Sequence, residues 1–357
     1  MKKKERAIRL GTVAAMLVTS WMGDSALAQS SVTLYGVADT YLDYSNNNPS
    51  AVTGQGGGKS VVKLSSTGLS GPRWGIRGTE DLGGGLSALF VLESGFNVDT
   101  GTMAETGRLF NRQAFVGIEG AYGRLTLGRQ YTTIYETLPN FAPLYYSNTY
   151  EPLVVLLGSP REDNAVKYRF AAGGLTVQGH YAFGEQAGAI QGNAGLGVGM
   201  VYVAGPFAIA GTYDQGNGPE TAEGHSKIRK AALAGSYSIG PASIVAGYRW
   251  GHDTTAAGAT ALRDNLWWAG LRYELTPALM LSAAFYYDDV KSRTGVVNPP
   301  NPKQYVVQGI YSLSKRTDVY GAVAYARNSG LNFGDLKTLA AGKESQTGVA
   351  LGIRHKF

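Results

Sequence analysis

The side chains that most often carry catalysis are few in this sequence and far apart. It has no cysteine, which excludes disulfide scaffolds, thiolate zinc sites and cysteine nucleophiles. Gly195-x-Gly197-x-Gly199 lacks the further glycine and the helix of a nucleotide-binding loop, and no Gly-x-Ser-x-Gly elbow occurs. The four histidines are not at metal-ligand spacing; they are His180, His225, His252 and His355. The sequence therefore predicts a protein that is not an enzyme and holds no cofactor.

Basic side chains are more informative, because several share one face of a predicted strand. Where apolar side chains occupy every second position of an extended segment, the positions between them lie on the other face. In one such segment that other face carries Lys167 and Arg169, with Arg161 just before it, and in an earlier segment Arg73 and Arg77 share a face. A guanidinium group is always charged, so a narrow passage lined with such groups attracts anions and repels cations.

The elements that carry these residues are predicted to be strands. The 50 glycines among 357 residues are too many for a helical bundle. Two uncharged stretches, 186–213 and 231–248, are broken by Gly205-Pro206 and Gly240-Pro241, which excludes membrane helices. On both sides of these turns apolar and polar residues alternate with a period of two over about 9–13 residues, which is long enough for a tilted strand to cross a bilayer.

The connections between the predicted strands alternate between tight turns and long polar segments. We predict sixteen strands, from residues 31–44 to residues 347–357, with residues 60–80 as one uninterrupted strand. A β protein in a bilayer must close on itself, because no water is present to satisfy an open strand edge. The predicted fold is therefore all-β, a transmembrane antiparallel β-barrel of 16 strands around an aqueous channel. A soluble β-sandwich is the alternative, but it does not explain the alternation of long and short loops.

The first residues predict export from the cytoplasm. A basic start is followed by an uncharged stretch over residues 10–23 and by Ala26-Leu27-Ala28, which is the pattern of a cleavable signal peptide. We therefore divide the chain into a signal peptide, residues 1–28, and a barrel domain, residues 29–357. The signal contributes five basic and two acidic residues, so the formal net charge falls from +6 to +3 on its removal. This modest charge does not favour nucleic acid as a partner.

Three short motifs resemble those of the trimeric general porins of proteobacterial outer membranes. They are Ser31-Val32-Thr33-Leu34-Tyr35-Gly36, the stretch Arg73-Trp74-Gly75-Ile76-Arg77-Gly78-Thr79-Glu80-Asp81-Leu82-Gly83, and the terminal Phe357. The resemblance implies an outer-membrane homotrimer, surrounded by lipid, through which small hydrophilic solutes and ions diffuse. It also implies that Phe357 belongs to a signal read by the barrel insertion machinery, although His355 departs from the aromatic or aliphatic residue usual there.

The resemblance further implies a constriction. The third long loop of such porins folds into the lumen, and residues 132–162 match it, with a tip at Leu138-Pro139-Asn140-Phe141. Asn140 replaces an acid that is common at this tip, and Glu136 is a partial substitute. Opposite the loop the family places arginines, which correspond here to Arg73, Arg112 and Arg161. Arg77, Lys167 and Arg169 are expected to be further basic residues of the lumen.

These features together predict a general diffusion channel that prefers anions. The preference would be lost if Glu80, Glu119, Asp163 and the loop carboxylates neutralised the arginines. Two other functions stay open, a substrate-specific outer-membrane channel and an outer-membrane barrel enzyme with catalytic groups near its rim.

Overall fold

The computed structural model describes residues 31–334 and 338–357, and most of them lie in strands. All strands belong to one antiparallel sheet, which closes because β1 pairs with β17. The strands are β1 (Ser31–Asn48), β2 (Lys59–Ser66), β3 (Arg73–Gly83), β4 (Leu86–Gly95), β5 (Gln113–Gly120), β6 (Gly123–Tyr131), β7 (Arg161–Ala172), β8 (Leu175–Ala182), β9 (Gly195–Ala204), β10 (Phe207–Asn217), β11 (Lys227–Ile239), β12 (Ala242–Thr254), β13 (Thr260–Thr276), β14 (Leu279–Arg293), β15 (Lys303–Ser312), β16 (Thr317–Arg327) and β17 (Ser345–Lys356).

Two of these strands, β2 and β3, are halves of one crossing, and both pair with β1. Residues 67–72 interrupt them. Thr67 has a φ of 71°, and Pro72 has no N–H to give to the ladder. The interruption turns into the barrel, where Leu69 is buried. The prediction of one continuous strand over residues 60–80 is therefore wrong, but the prediction of a closed barrel with sixteen crossings is confirmed.

The two faces of the strands differ as the period of two predicts. In β17, Leu351 and Ile353 point outwards and are 61% and 46% exposed, whereas Gln346 and Ala350 point inwards and are fully buried. In β13, Trp267 likewise lies on the outer face, half exposed. An apolar outer surface suits lipid, and a closed sheet leaves no strand edge without hydrogen bonds in the bilayer.

Connections are short at one end of the barrel and long at the other. At the short end, Gly83, Gly84 and Gly85 all have positive φ, a conformation that glycine adopts without steric cost. The closing seam runs along β1 and β17, and at the short end of the barrel Gly36 and Phe357 exchange backbone hydrogen bonds of 2.9 and 3.1 Å. Because these bonds join the first and last strands, the barrel is complete only when both are in place.

Helical structure is limited to short segments. These are α1 (Thr133–Thr137), α2 (Leu153–Leu156) and two 3-10 turns at Pro139–Phe141 and Leu331–Gly334. In the described ranges, no helix has the length and apolar character needed to cross a membrane. The predicted signal peptide, residues 1–28, lies outside the described residues.

Candidate functional site

The connection between β6 and β7, residues 132–160, folds into the barrel and is called the constriction loop below. Its first helix, α1, lies against β8, β9 and β10. The Ile134 N–H donates to the Asp214 carboxylate over 2.7 Å, and the Thr133 hydroxyl lies 2.7 Å from Nδ1 of His180. Both partners point inwards from the wall, so polar lumen side chains fix the start of the loop.

The tip of the loop is held by β13. The indole Nε1–H of Trp268 donates to the Phe141 carbonyl over 2.8 Å, and Arg272 donates to the Asn140 carbonyl over 2.8 Å. The guanidinium of Arg272 also lies 3.9 Å from the centroid of the Tyr145 ring. The Phe141 side chain is buried, so it anchors the tip against the wall, whereas the Asn140 side chain is exposed.

A buried carboxylate, Glu151, organises the second half of the loop. It accepts hydrogen bonds from the N–H groups of Leu144 and Tyr146, over 3.2 and 2.6 Å, and from the Tyr286 hydroxyl over 2.9 Å. Burial nevertheless outweighs these bonds and the nearby Arg272 charge, and it raises the pKa of Glu151 to about 7. Glu151 therefore serves as an internal anchor and does not face the passage.

Across the passage from the loop, Arg73, Arg112 and Arg161 border one cavity of about 540 Å³. They come from different strand ends: Arg73 begins β3, Arg112 precedes β5, and Arg161 begins β7. On the loop side the same cavity is bordered by tyrosines, Tyr135, Tyr145 and Tyr146. The structure thus brings together the three arginines that the resemblance selected.

One carboxylate, Glu93, sits within the arginine cluster. It accepts from Nε of Arg112 over 2.7 Å and from the Tyr35 hydroxyl over 3.0 Å, and it lies 3.3 Å from Nε of Arg73. In the described residues, no carboxylate lies within 4 Å of the Arg161 guanidinium. A second carboxylate that borders the cavity, Glu105, pairs with Arg108 and Arg129, so Glu93 is the carboxylate that directly opposes the three guanidinium charges.

An aromatic side chain holds Arg161 in place. Its guanidinium lies 4.7 Å from the centroid of the Tyr131 ring and donates to the Tyr131 hydroxyl over 3.2 Å. The same hydroxyl accepts from Arg112 over 2.6 Å, and the Tyr131 ring stacks on Tyr135 at 5.3 Å. Cation–π contact orients a guanidinium without neutralising it, so Arg161 keeps its full charge towards the passage.

The period of two that predicts the lumen face for Lys167 and Arg169 does not continue as far as Arg161. A register shift between Gly128 and Gln130, together with a positive φ at Asn164, forms a β-bulge between Arg161 and Lys167. A bulge inserts an extra residue and breaks the period of two. Arg161 lines the lumen because of its contacts with Tyr131, and the simple parity argument was wrong for this residue.

The other predicted basic residues differ in their location and in whether an acid neutralises their charge. Arg77 lies 5.2 Å from the Tyr35 ring centroid on the lumen face. Lys167 is buried and forms an ion pair with Glu136, so each cancels the other's charge. Arg169 borders a second cavity, closer to the short turns.

Two of the carboxylates expected to neutralise the cluster, Glu119 and Asp163, have other partners. Glu119 pairs with Arg124 over 2.7 Å, and Asp163 pairs with Arg129 over 2.7 Å and with Arg108. Sequence reasoning missed Glu93 and the ring contacts of Tyr131. Glu93 could have been identified from strand pairing, because it lies opposite Gly75. Gly75 is on the same face of β3 as Arg73 and Arg77, two residues from each. No signal identified Tyr131, because its role depends on the fold of the loop.

The lumen side chains at the constriction are mainly fixed charges and aromatic rings. Within residues 31–334 and 338–357, no group of three histidines, aspartates or glutamates is placed to hold a metal ion. The constriction instead presents fixed cations, Arg73, Arg112 and Arg161, to a cavity of about 540 Å³.

Comparison with known proteins agrees with this geometry. A family model described as Gram-negative porin matches residues 12–331. An outer membrane porin protein of Bordetella pertussis is 30% identical over 97% of this chain and 99% of its own length, and outer membrane porin protein 32 of Delftia acidovorans is 30% identical over 93% and 96%. A solved anion-selective porin from Comamonas acidovorans superimposes with a TM-score of 0.79 at 26% identity, covering 92% of this chain and all of the other. The chain therefore belongs to the Gram-negative porin family and forms a β-barrel channel in the outer membrane.

Proposed function

We propose that this porin is a general diffusion channel that passes small hydrophilic solutes and prefers anions. The observation that carries the proposal is the charge balance of the constriction, where Arg73, Arg112 and Arg161 face the cavity and Glu93 is the carboxylate of the described residues within 4 Å of any of them. Glu105 also borders this cavity, but it pairs with Arg108 and Arg129. The two carboxylates of the constriction loop do not oppose them, because Glu136 is paired with Lys167 and Glu151 is buried.

The similarity to the anion-selective porin of Comamonas acidovorans supports the same direction. In a narrow aqueous gap a fixed positive charge lowers the energy of a passing anion and raises that of a cation. Passage would be passive, driven by the concentration gradient, with no catalytic step and no cofactor. The constriction loop would set the size limit.

The test is the reversal potential of refolded protein in a planar bilayer under a potassium chloride gradient. We expect the sign of the reversal potential to show that chloride permeates more easily than potassium. Arg161→Gln should weaken that preference, because it removes a guanidinium without leaving a carboxylate unpaired. Arg316→Gln is the matched control, since it removes the same charge from an exposed short turn. Cation preference in the unmodified channel would refute the proposal.

Three further expectations complete the proposed function. Residues 1–28 would be removed on export, leaving residues 29–357 as the barrel. The channel would assemble as a homotrimer in outer-membrane lipid, as the family resemblance implies. Phe357 would be read by the barrel insertion machinery during assembly; its ring is 48% exposed on the outer face. N-terminal sequencing and cross-linking of the outer-membrane protein test the first two.

A further inference from the structure

A second lumen cavity, of about 430 Å³, adjoins the first along the passage. On β5, β6 and β7 its lining residues lie nearer the short turns than those of the arginine cavity. On β7, for example, Arg161 borders the arginine cavity, whereas Lys167 and Arg169 border the second one. A solute that has passed the arginine cluster from the long-loop side reaches this second cavity next.

The second cavity contains a cation without a paired acid. Arg169 lies directly opposite Arg124 in the β6–β7 register, which places two guanidinium side chains next to each other. Arg124 donates to Glu119 and Lys167 to Glu136, but no carboxylate of the described residues lies within 4 Å of Arg169. Because Glu119 already compensates Arg124, Arg169 is the guanidinium of this cavity that is left to attract an anion.

The cavity also has an apolar wall, which is unusual for the inner face of a water-filled barrel. Val201 and Val203 are lumen-facing residues of β9, and Phe115 is a lumen-facing residue of β5. Val203 is 50% exposed, so its side chain has apolar surface that a ligand can contact. The amide group of Gln113 adds hydrogen-bond donors.

We infer that this cavity is a binding site for small organic anions that carry an apolar body, such as aromatic or branched monocarboxylates. The carboxylate would pair with Arg169, and the body would cover Val201, Val203 and Phe115. A chloride ion or an acetate ion can use the first contact but gains little from the second, since the hydrophobic gain scales with the apolar area removed from water. The inference rests on the proposed function, because the anion must first be admitted by the channel.

The experiment measures single-channel current in potassium chloride while benzoate or acetate is added. Benzoate should reduce the current with a saturating concentration dependence, whereas acetate at equal concentration should not saturate. The double variant Val201→Thr and Val203→Thr keeps side-chain shape and β-branching. We expect it to raise the half-blocking benzoate concentration about fivefold while leaving the chloride reversal potential unchanged. Val297→Thr, in an exposed long loop, is the matched control and should change neither quantity.

Arg169→Gln should weaken block by benzoate at least as much, with Arg316→Gln as the control for net charge. The inference is overturned if benzoate and acetate behave alike in the unmodified channel, or if the double valine variant keeps the original half-blocking concentration. A different result would refute the proposed function, namely a reversal potential whose sign shows that potassium permeates more easily than chloride. A chloride-preferring channel that does not distinguish benzoate from acetate therefore refutes this inference alone.

Discussion

Replacing Glu93 by glutamine should increase the anion preference of the channel. Glu93 is the carboxylate that contacts both Arg73 and Arg112, at 3.3 and 2.7 Å. Glutamine has nearly the same shape, and its carbonyl oxygen still accepts the Arg112 hydrogen bond. The substitution therefore removes charge with little change of structure, and the cluster with Arg161 goes from three positive charges against one negative charge to three unopposed.

The size of the effect follows from Coulomb's law. A unit charge about 6 Å from a passing ion changes its energy by about 0.7 kcal/mol in water. Screening at about 0.1 M salt, with a Debye length of about 10 Å, reduces this to about 0.4 kcal/mol. An anion gains what a cation loses, so the difference of about 0.8 kcal/mol raises the anion-to-cation permeability ratio about fourfold. At about 1 M salt the Debye length is about 3 Å, and the effect should nearly vanish.

The assay compares reversal potentials of Glu93→Gln and the unmodified channel in potassium chloride gradients centred on low and high salt. Glu223→Gln, an exposed acid in a long loop, is the matched control and should leave the potential unchanged. If Glu93→Gln has the potential of the unmodified channel at low salt, the cluster does not control selectivity. A shift that persists at high salt would indicate a structural rearrangement instead of a charge effect.

Three other predictions concern the loop and assembly. Because the folded-state pKa of Glu151 is about 7, above its ordinary 4.5, its stabilisation of the loop is complete at low pH and is lost as pH rises through about 7. Transient closures of the channel should therefore become more frequent from about pH 5 to about pH 8. Glu151→Gln should abolish this pH dependence, and a variant that kept it would show that Glu151 is not its source. Trp268→Phe leaves the buried Phe141 carbonyl without its donor, at a cost of about 1–3 kcal/mol, and should increase current noise; an unaltered noise spectrum would contradict the anchoring role. Phe357→Ala should lower the yield of heat-modifiable barrel in the outer membrane more than Tyr311→Ala, a matched outward residue that is 47% exposed, and equal yields would leave Phe357 with a lipid-facing role only.

Much of the barrel was predictable because the face on which a strand residue lies depends on its immediate neighbours in the sequence. A strand between lipid and water must alternate, so Trp267 and Leu271 could be assigned to the outer face before any contact was known. The break at residues 67–72 was not predictable in this way. It depends on a distant partner, because the Thr149 N–H of the constriction loop donates to the Gly68 carbonyl.

The candidate site was predictable only in part, for the same reason. Residue type and resemblance selected Arg73, Arg112 and Arg161, since fixed charge is visible in a sequence. The degree of neutralisation was not visible, because it depends on which acid reaches which base across strands. Glu93 replaced the expected partners, and Lys167 proved to be paired with Glu136.

The seam between β1 and β17 has a consequence for biogenesis. Gly36 near the start of the described chain and Phe357 at its end exchange both of their backbone hydrogen bonds, although more than three hundred residues separate them along the polypeptide. During export the leading strand emerges first and must wait for the trailing one. Until then two strand edges lack hydrogen-bond partners and are open to pairing with other chains, so the unclosed barrel is the form most exposed to aggregation.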